Sequence, residues 1–355
     1  MITLFGATGY TGRQIAHVLD QQGLEFRLAG RSESRLSELS ASLQSKPPFL
    51  VANAGYAQSI PALFRDTRTL INCVGPFTDL GEKILGQAAV NGVHYLDTTN
   101  ELGFVYRVQS YQRLAAQSGA AIIPACAFEV ALADCAACAG VDPTGRSLDE
   151  IHVLYVLNGQ QSSPGTQRSA LRSLATSWVV YRDGTWKGQA PGSATRTFQH
   201  GGGKYPSFAI PSSESVTIPA HLPVKSIYTW MAVTPLQAFF APAVIPYFSR
   251  FLRSIAGPWL QAWINRRPRL EQPLTASPFQ IFVYRMKNGQ MQTLIIIAGN
   301  DPYALTARII GEAARVLESP AFDQKGVLPP SAILGGAELF AKARDWGVSI
   351  QGLGG

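Results

Sequence analysis

The chain has 355 residues, of which 46% are hydrophobic and 15% charged, with a formal net charge of +7. This balance excludes a disordered chain and fits about two domains of roughly 100–200 residues each. The basic residues are scattered, with one tight cluster at Arg266, Arg267 and Arg269, so they favour an anionic ligand and argue against a nucleic-acid protein.

In chain order, "ITLF" predicts a first strand. "GRQIAHVLDQQG" predicts a helix with Ile15, Ala16 and Leu19 on one face, stopped at Gly23. "EFRLAG" is a second strand, and "SESRLSELSASL" a helix with Ser32 at its N-cap position. "PFLVANA", "RTLINCVG", "GVHYLD" and "GAAIIPACA" supply further strands, separated by helical patterns at 57–65, 80–91 and 106–118. Strand and helix alternating at this spacing predict an α/β, doubly wound parallel Rossmann sheet over residues 1–128.

Near Gly140 the rhythm changes to a polar connector, then to a second α+β domain over 129–302 with a mostly antiparallel or mixed sheet. "IHVLYVLNG", "SWVVYRDGTWKGQ" and "ESVTIPAHLP" read as strands there, and "TQRSALRSLATS" as a helix. "FQIFVYRMKNGQMQTLIIIAGN" reads as a hairpin turning at Asn-Gly. "PYALTARIIGEAARVLES" predicts a helix with Leu305, Ile309, Ala313 and Leu317 on one stripe, opening a segment, 303–355, expected to pack back on the first domain.

Met231–Phe248 is apolar but interrupted by Pro235, Pro242 and Pro246, so a membrane span of ~20 residues is not expected. With a strand starting at the N-terminus and no charged leader before it, a cytoplasmic protein is expected, with peripheral membrane contact left open. Cys73, Cys126, Cys135 and Cys138 sit among apolar neighbours and read as structural thiols; a lone CxxC makes no zinc site, so no metal is expected.

The turn after the first strand has glycines at Gly6, Gly9 and Gly12. Such a turn lets backbone approach a pyrophosphate, with the following helix presenting its positive end. The second strand ends in Gly30, Arg31 and Ser32, with Arg35 a turn later, where NAD-specific proteins place a carboxylate. Arg31 and Ser32 suit a 2′-phosphate, so NADP(H) is the expected cofactor; the plainer alternative is a pair of solvated helix-start arginines. The fourth strand ends in "NCVGPF", whose Val74, Gly75, Pro76 and Phe77 fall where ligands lie in open α/β sheets.

The combination "GATGYTGR", "LAGRS", "NCVGPF", "GVHYLDTTNE", "SSPGTQRSAL", "SVTIPAHLPVKSIYTWMAV" and "KGVLPPSAILGG" resembles the saccharopine dehydrogenase-like reductases, including their trans-acting enoyl reductase branch. The resemblance runs over most of the chain and is least at 235–300. It implies NADP(H)-dependent hydride transfer, to C=N in the saccharopine branch and to C=C in the enoyl reductase branch. Carried over by position, Gly6, Thr8, Gly9, Tyr10, Thr11 and Gly12 would hold the pyrophosphate. Arg31, Ser32 and Arg35 would face the 2′-phosphate, and Val74, Gly75, Pro76 and Phe77 would line the cleft. Asn53 and Asn100 complete the cofactor set. This chain departs from the family pattern at Asn100, where a glycine is usual, and at Ala127 before Phe128.

Acid–base candidates are Tyr95 and Glu101 around the fifth strand, Glu129 after the sixth, and His221 in the second domain. Asp97 is either functional or a helix cap. Pro164, Gly165 and Thr166, beside Arg168, begin a helix that could take an anionic group. No Ser-Tyr-Lys arrangement is present: four residues after Tyr95 stands Thr99. Residues 231–248 carry no charge, and Phe239, Phe240, Tyr247, Phe248, Trp259 and Trp263 supply apolar surface. This favours C=C reduction on an acyl, polyketide or lipid-like substrate over an opine-type imine needing several arginines. A non-catalytic NADP(H)-binding sensor or scaffold is the third reading. The same apolar surface would alternatively serve a homodimer, an acyl carrier or a membrane.

Overall fold

The computed structural model describes residues 1–139, 148–157, 164–175, 178–190, 192–254, 259 and 277–352. The connector at 140–147, Trp263, Arg266, Arg267, Arg269 and the side chains of Pro164 and Arg168 lie outside the described residues. The chain divides into two compact units. The first comprises Met1–Asn100, Phe104–Ala131 and Tyr303–Gly335; the second comprises Glu101–Gly103, Leu132–Pro302 and Gly336–Gly355.

The chain opens with β1 (Ile2–Phe5), α1 (Tyr10–Gln21), β2 (Phe26–Gly30), α2 (Glu33–Ser42) and β3 (Phe49–Val51). Two short 3-10 turns, Ala57–Ser59 and Pro61–Phe64, replace the helix expected at 57–65, Pro61 falling at the start of the second turn. Then come β4 (Thr69–Asn72), α3 (Phe77–Asn91), β5 (His94–Asp97), α4 (Leu102–Val108), α5 (Gln112–Ser118), β6 (Ala121–Ile123) and α6 (Phe128–Cys138).

The second stretch holds β7 (Leu148–Leu157), α7 (Pro164–Ala175), β8 (Trp178–Arg182), β9 (Thr185–Gln189), β10 (Thr195–His200) and β11 (Gly203–Ala209). It continues with α8 (Glu214–Thr217), β12 (Val224–Ala232), α9 (Pro235–Arg253), β13 (Phe279–Lys287) and β14 (Gln290–Gly299). The tail adds α10 (Pro302–Glu318), β15 (Gly326–Val327), α11 (Pro330–Leu334), α12 (Gly336–Asp345) and β16 (Ser349–Gln351).

The first unit is built on a parallel sheet ordered β15-β6-β5-β4-β1-β2-β3. Its central strands are apolar on both faces, as a sheet covered by helices on both sides requires: Ile2, Leu4, Leu70, Ile71 and Leu96 are fully buried. The order reverses between β1 and β4, the switch point where open α/β sheets bind ligands. The tail contributes β15, whose Gly326 pairs with Ala121, and α10, which lies so close to α1 that a Cβ on Gly311 would meet Val18 at 2.5 Å.

The second unit holds a mixed sheet ordered β10-β11-β12-β7-β13-β14-β16, in which only β12 and β7 run parallel among the described strands. One face is aromatic: Phe198, Trp230, Phe282 and Tyr284 pack with Leu154 and Val156. Both expected hairpins turn on left-handed pairs, Asp183–Gly184 (φ 50° and 75°) and Asn288–Gly289 (φ 51° and 71°).

Two expectations are corrected. "ESVTIPAHLP" is not a strand: Glu214–Thr217 is helical and Ile218–Ala220 a 3-10 turn. Its β-branched residues mimic a strand, but the Val216 and Thr217 amides both bond back to the Ser213 carbonyl. Nor do prolines break the apolar stretch: α9 runs 19 residues with Pro242 and Pro246 inside it, started by a capping box of Thr234 and Gln237. No described helix is long and apolar enough to cross a membrane.

Candidate cofactor and active site

Gly6 ends β1 with φ 86°, a left-handed turn that glycine adopts at no steric cost. A Cβ there would lie 2.9 Å from Val74 Cγ2 and 3.0 Å from the Cys73 carbonyl carbon. One on Gly12 would fall 2.3 Å from the Gly6 carbonyl oxygen and 2.9 Å from Ala7 Cα. The Gly9 amide donates to the Gly6 carbonyl at 2.9 Å, closing the turn, and Gly9 is the N-cap of α1 with no side chain capping it. Backbone amides and the positive end of α1 thus occupy the mouth of the turn, and this suits a pyrophosphate.

At the end of β2, Gly30 leads to Arg31, which is exposed, and to Ser32, the N-cap of α2. Ser32 makes no cap bond; its hydroxyl instead lies 3.3 Å from Ser34 Oγ. Arg31, Ser32 and the half-buried Arg35 therefore sit together at one helix start. Asn53, by contrast, shapes its own turn: its Oδ1 accepts from the Gly55 amide at 3.0 Å and its amide donates to Ser59 Oγ at 3.0 Å.

The "NCVGPF" turn is organised by Asn72, a buried amide at the end of β4. Asn72 Oδ1 accepts from the Val74 amide at 3.0 Å, and its Nδ2 donates to Tyr95 Oη at 3.1 Å. Gly75 is exposed and joined to Pro76 by a cis bond, while Phe77 opens α3 and packs on Phe104 at 5.8 Å. Burial, with the Asp97 charge nearby, pushes the Cys73 thiol up to about 12 and holds the Tyr95 phenol well above its ordinary value.

Asp97 ties the loops after β5 and β6 together. Its Oδ1 accepts from the Thr99 amide at 3.0 Å and from the Ala125 amide at 2.8 Å, holding Ala125 at φ 58°. Two neighbours escape sequence reasoning because they come from the tail. Tyr303 packs edge-on against Tyr10 at 4.9 Å, and Thr306 Oγ1 accepts the Phe128 amide at 3.2 Å.

The acid–base candidates fall on different elements of the two units. Tyr95 is buried in the first sheet, and Glu129 opens α6. Glu101, in the second unit, accepts from Ser169 Oγ on α7 at 2.7 Å. His221 follows the 3-10 turn after α8 and binds Asp134 at 2.9 Å. Asn100 is half-buried between β5 and α4. Among the described residues no three His, Cys, Asp or Glu side chains are arranged to hold a metal.

The second unit's aromatic face surrounds His152, whose ring stacks on Tyr228 at 4.6 Å. Its Nδ1 accepts from Trp230 Nε1 at 3.1 Å, and its Nε2 lies 2.8 Å from Glu150. Burial lowers its pKa, with Arg196 adding to the effect. Arg182 covers the Tyr228 ring at 3.4 Å. On α9, Ala241, Ser249 and Leu252 face inward, whereas Leu236, Phe239, Val244, Tyr247 and Phe251 are exposed, Phe239 by 77%.

Residues 2–123 match the family model for the saccharopine dehydrogenase NADP binding domain. Among solved structures, apo saccharopine dehydrogenase (L-Glu forming) from Saccharomyces cerevisiae aligns with a TM-score of 0.63 at 10% identity, covering 99% of this chain and 98% of the other. A trans-acting enoyl reductase of Mycobacterium leprae is 34% identical over 134 residues, 36% of this chain and 32% of that protein. A lipid droplet localized protein of Caenorhabditis elegans is 28% identical over 145 residues, 38% of this chain and 34% of that protein. The matched stretch thus spans about a third of the length of either curated relative. Residues 2–123 are therefore similar to the saccharopine dehydrogenase NADP binding domain, and the chain has the saccharopine dehydrogenase fold.

Proposed function

We propose that the protein is an NADPH-dependent reductase that delivers hydride to a C=C bond of a hydrophobic, acyl- or lipid-like substrate. The observation carrying this reading is the turn at Gly6–Gly12, where a Cβ on Gly6 or Gly12 would meet neighbouring backbone at 3.0 Å or less. NADPH supplies the hydride; the chain's residues supply binding, orientation and a proton. The amides at the start of α1 hold the pyrophosphate, Arg31 and Ser32 the 2′-phosphate, and the Val74–Phe77 turn the nicotinamide side. Among the acid–base candidates we assign proton donation to Glu101, acting as the protonated carboxylic acid, with the Ser169 hydroxyl hydrogen-bonded to its carboxyl group. The exposed aromatic side of α9 is the surface we assign to a lipid phase carrying the substrate; Arg250 and Arg253 at its end suit anionic headgroups. Similarity to trans-acting enoyl reductases supports C=C chemistry over C=N.

The test follows nicotinamide absorbance after adding long-chain enoyl thioesters or, separately, keto-acid and amine pairs. Oxidation of NADPH by the thioesters, lost in Glu101→Gln, is expected. Turnover with the keto-acid pairs alone, or with neither, overturns the reading.

A further inference from the structure

The first turn of α1 carries the amides that suit a pyrophosphate, yet no side chain caps it. Gly9 at the N-cap makes no side-chain bond, and no acidic residue stands in the first turn. The turn before it is rich in glycine, the residue that loses most freedom on ordering. Its backbone bonds run from the Gly9 amide to the Gly6 carbonyl and from the Arg13 amide to the Gly9 carbonyl, each at 2.9 Å. The side chain at the first helical position is Tyr10. Its half-buried ring meets Tyr303 of the tail edge-on, at 4.9 Å and 81°.

Tyr303 stands on a helix that is anchored without Tyr10. Further along the pair, Gly311 lies against Val18, where a Cβ would come within 2.5 Å of Val18 Cγ1. Tyr10 and Val18 are eight residues apart (18 − 10), and so are Tyr303 and Gly311 (311 − 303). The two helices therefore run side by side in the same direction with their first turns level, and the contacts are ~12 Å apart along the axis. Leu305, Ile309, Ala313 and Leu317 are buried. At the near end Thr306 Oγ1 accepts the Phe128 amide at 3.2 Å, and at the far end Arg68 Nε donates to the Leu317 carbonyl at 3.0 Å. Both helices belong to the first unit. An edge-to-face ring pair is directional, so an anchored Tyr303 fixes the ring of Tyr10 and with it the entry of the chain into α1.

We propose that Tyr303 is a positioning residue for the nucleotide: its ring holds Tyr10, and Tyr10 holds the first-turn amides of α1 in the geometry that takes the pyrophosphate. This rests on reading the Gly6–Gly12 turn as the pyrophosphate cradle. Ordering the turn before the ligand arrives removes part of the entropic cost of binding. The pyrophosphate is common to NADPH and NADH, so Tyr303 sets the affinity for both and leaves their ratio to Arg31 and Ser32. The tail thus takes part in nucleotide binding from 293 residues beyond Tyr10 (303 − 10), through a ring and not through a contact with the ligand.

The test is calorimetric titration of the full chain with NADPH and, separately, NADH, on variants whose circular dichroism matches the parent. Tyr303→Ala is expected to raise both dissociation constants by about three- to tenfold, with their ratio unchanged. Tyr303→Phe, which keeps the ring, should stay within about twofold of the parent. In a Tyr10→Ala background, Tyr303→Ala should cost nothing further, because the ring it supports is gone. Ile309→Val, which loosens α10 two turns further on, should lower the melting temperature and leave both constants in place. Parent-like binding by Tyr303→Ala, an equal loss in Tyr303→Phe or Ile309→Val, or full additivity with Tyr10→Ala overturns the proposal while the cofactor site stands. A parent chain that binds neither nucleotide overturns the cradle itself, and this proposal with it.

Discussion

The two units place their distinctive chemistry in different materials. Around Gly6 and Gly12 in the first unit, the geometry rests on side chains that are missing: a single methyl would collide with the Gly6 carbonyl at 2.3 Å. Around His152 and Trp230 in the second, it rests on side chains that are present, rings interlocked across neighbouring strands. A site made of backbone announces itself as a short run of glycines after a strand. A site made of side chains is assembled across the sheet and leaves no local pattern.

All six tryptophans fall in stretches assigned to the second unit, so their emission reports that unit alone and lets the contrast be tested. The largest effect is expected from Trp230→Ala, which empties the ring cluster and removes the donor to His152. It should cost the second unit about 3–5 kcal/mol in denaturant titrations. A loss under ~1 kcal/mol would mean that the aromatic face is not a packed core. Gly12→Ala should weaken NADPH binding by about two orders of magnitude, or ~2.7 kcal/mol, in a fluorescence titration. Parent-like binding would show that the turn does not cradle the pyrophosphate.

Arg31→Glu touches only an exposed side chain and should leave folding intact while shifting the NADPH-over-NADH preference by about ten- to a hundredfold. An unchanged ratio removes Arg31 from the 2′-phosphate site.

The pH dependence separates two histidines of opposite sign. Burial lowers His94 to about 4, and its Nδ1 accepts the Ala121 amide at 3.1 Å. The unfolded chain binds that proton near 6.5, so this stabilisation is present above pH ~6.5 and is lost as pH falls towards 4. His221, raised to about 10, contributes stability present below ~6.5 and lost as pH rises through 10. Urea midpoints measured across this range should show an acid limb that His94→Gln flattens and an alkaline limb that His221→Gln flattens. The smallest effect is expected from Thr234→Ala, which removes half the capping box of α9 and should cost ~1 kcal/mol by the same titration.

Much of the first unit was legible because its signals are local. Alternating apolar strands, the Gly6–Gly12 spacing and the stripe from Leu305 to Leu317 each announce an element within twenty residues. The second unit was legible in its turns, Asp183–Gly184 and Asn288–Gly289, for the same reason. What was misread depended on context. Val216, Thr217 and Ile218 favour strands by shape, yet the Ser213 carbonyl draws them into a helical turn. Pro242 and Pro246 argue against a helix, yet the Thr234 cap and packing of α9 against β10, β11 and α7 sustain one. The Asn72–Tyr95 and Ser169–Glu101 bonds, and the meeting of Cys138 with His221, join residues far apart in sequence, and no periodicity encodes them.

The seventh strand of the parallel sheet has a consequence for how the protein is made. Gly326 pairs with Ala121, so the two are separated by 326 − 121 = 205 residues. During synthesis the edge of β6 stays unpaired while the whole intervening stretch is translated, an open template for wrong pairings. Only the tail closes it. The nucleotide-binding unit therefore reaches its final form after the unit that follows it in sequence has been made, and a fragment ending at Ala131 would lack β15 and α10. Here the order of translation and the order of structural completion run in opposite directions.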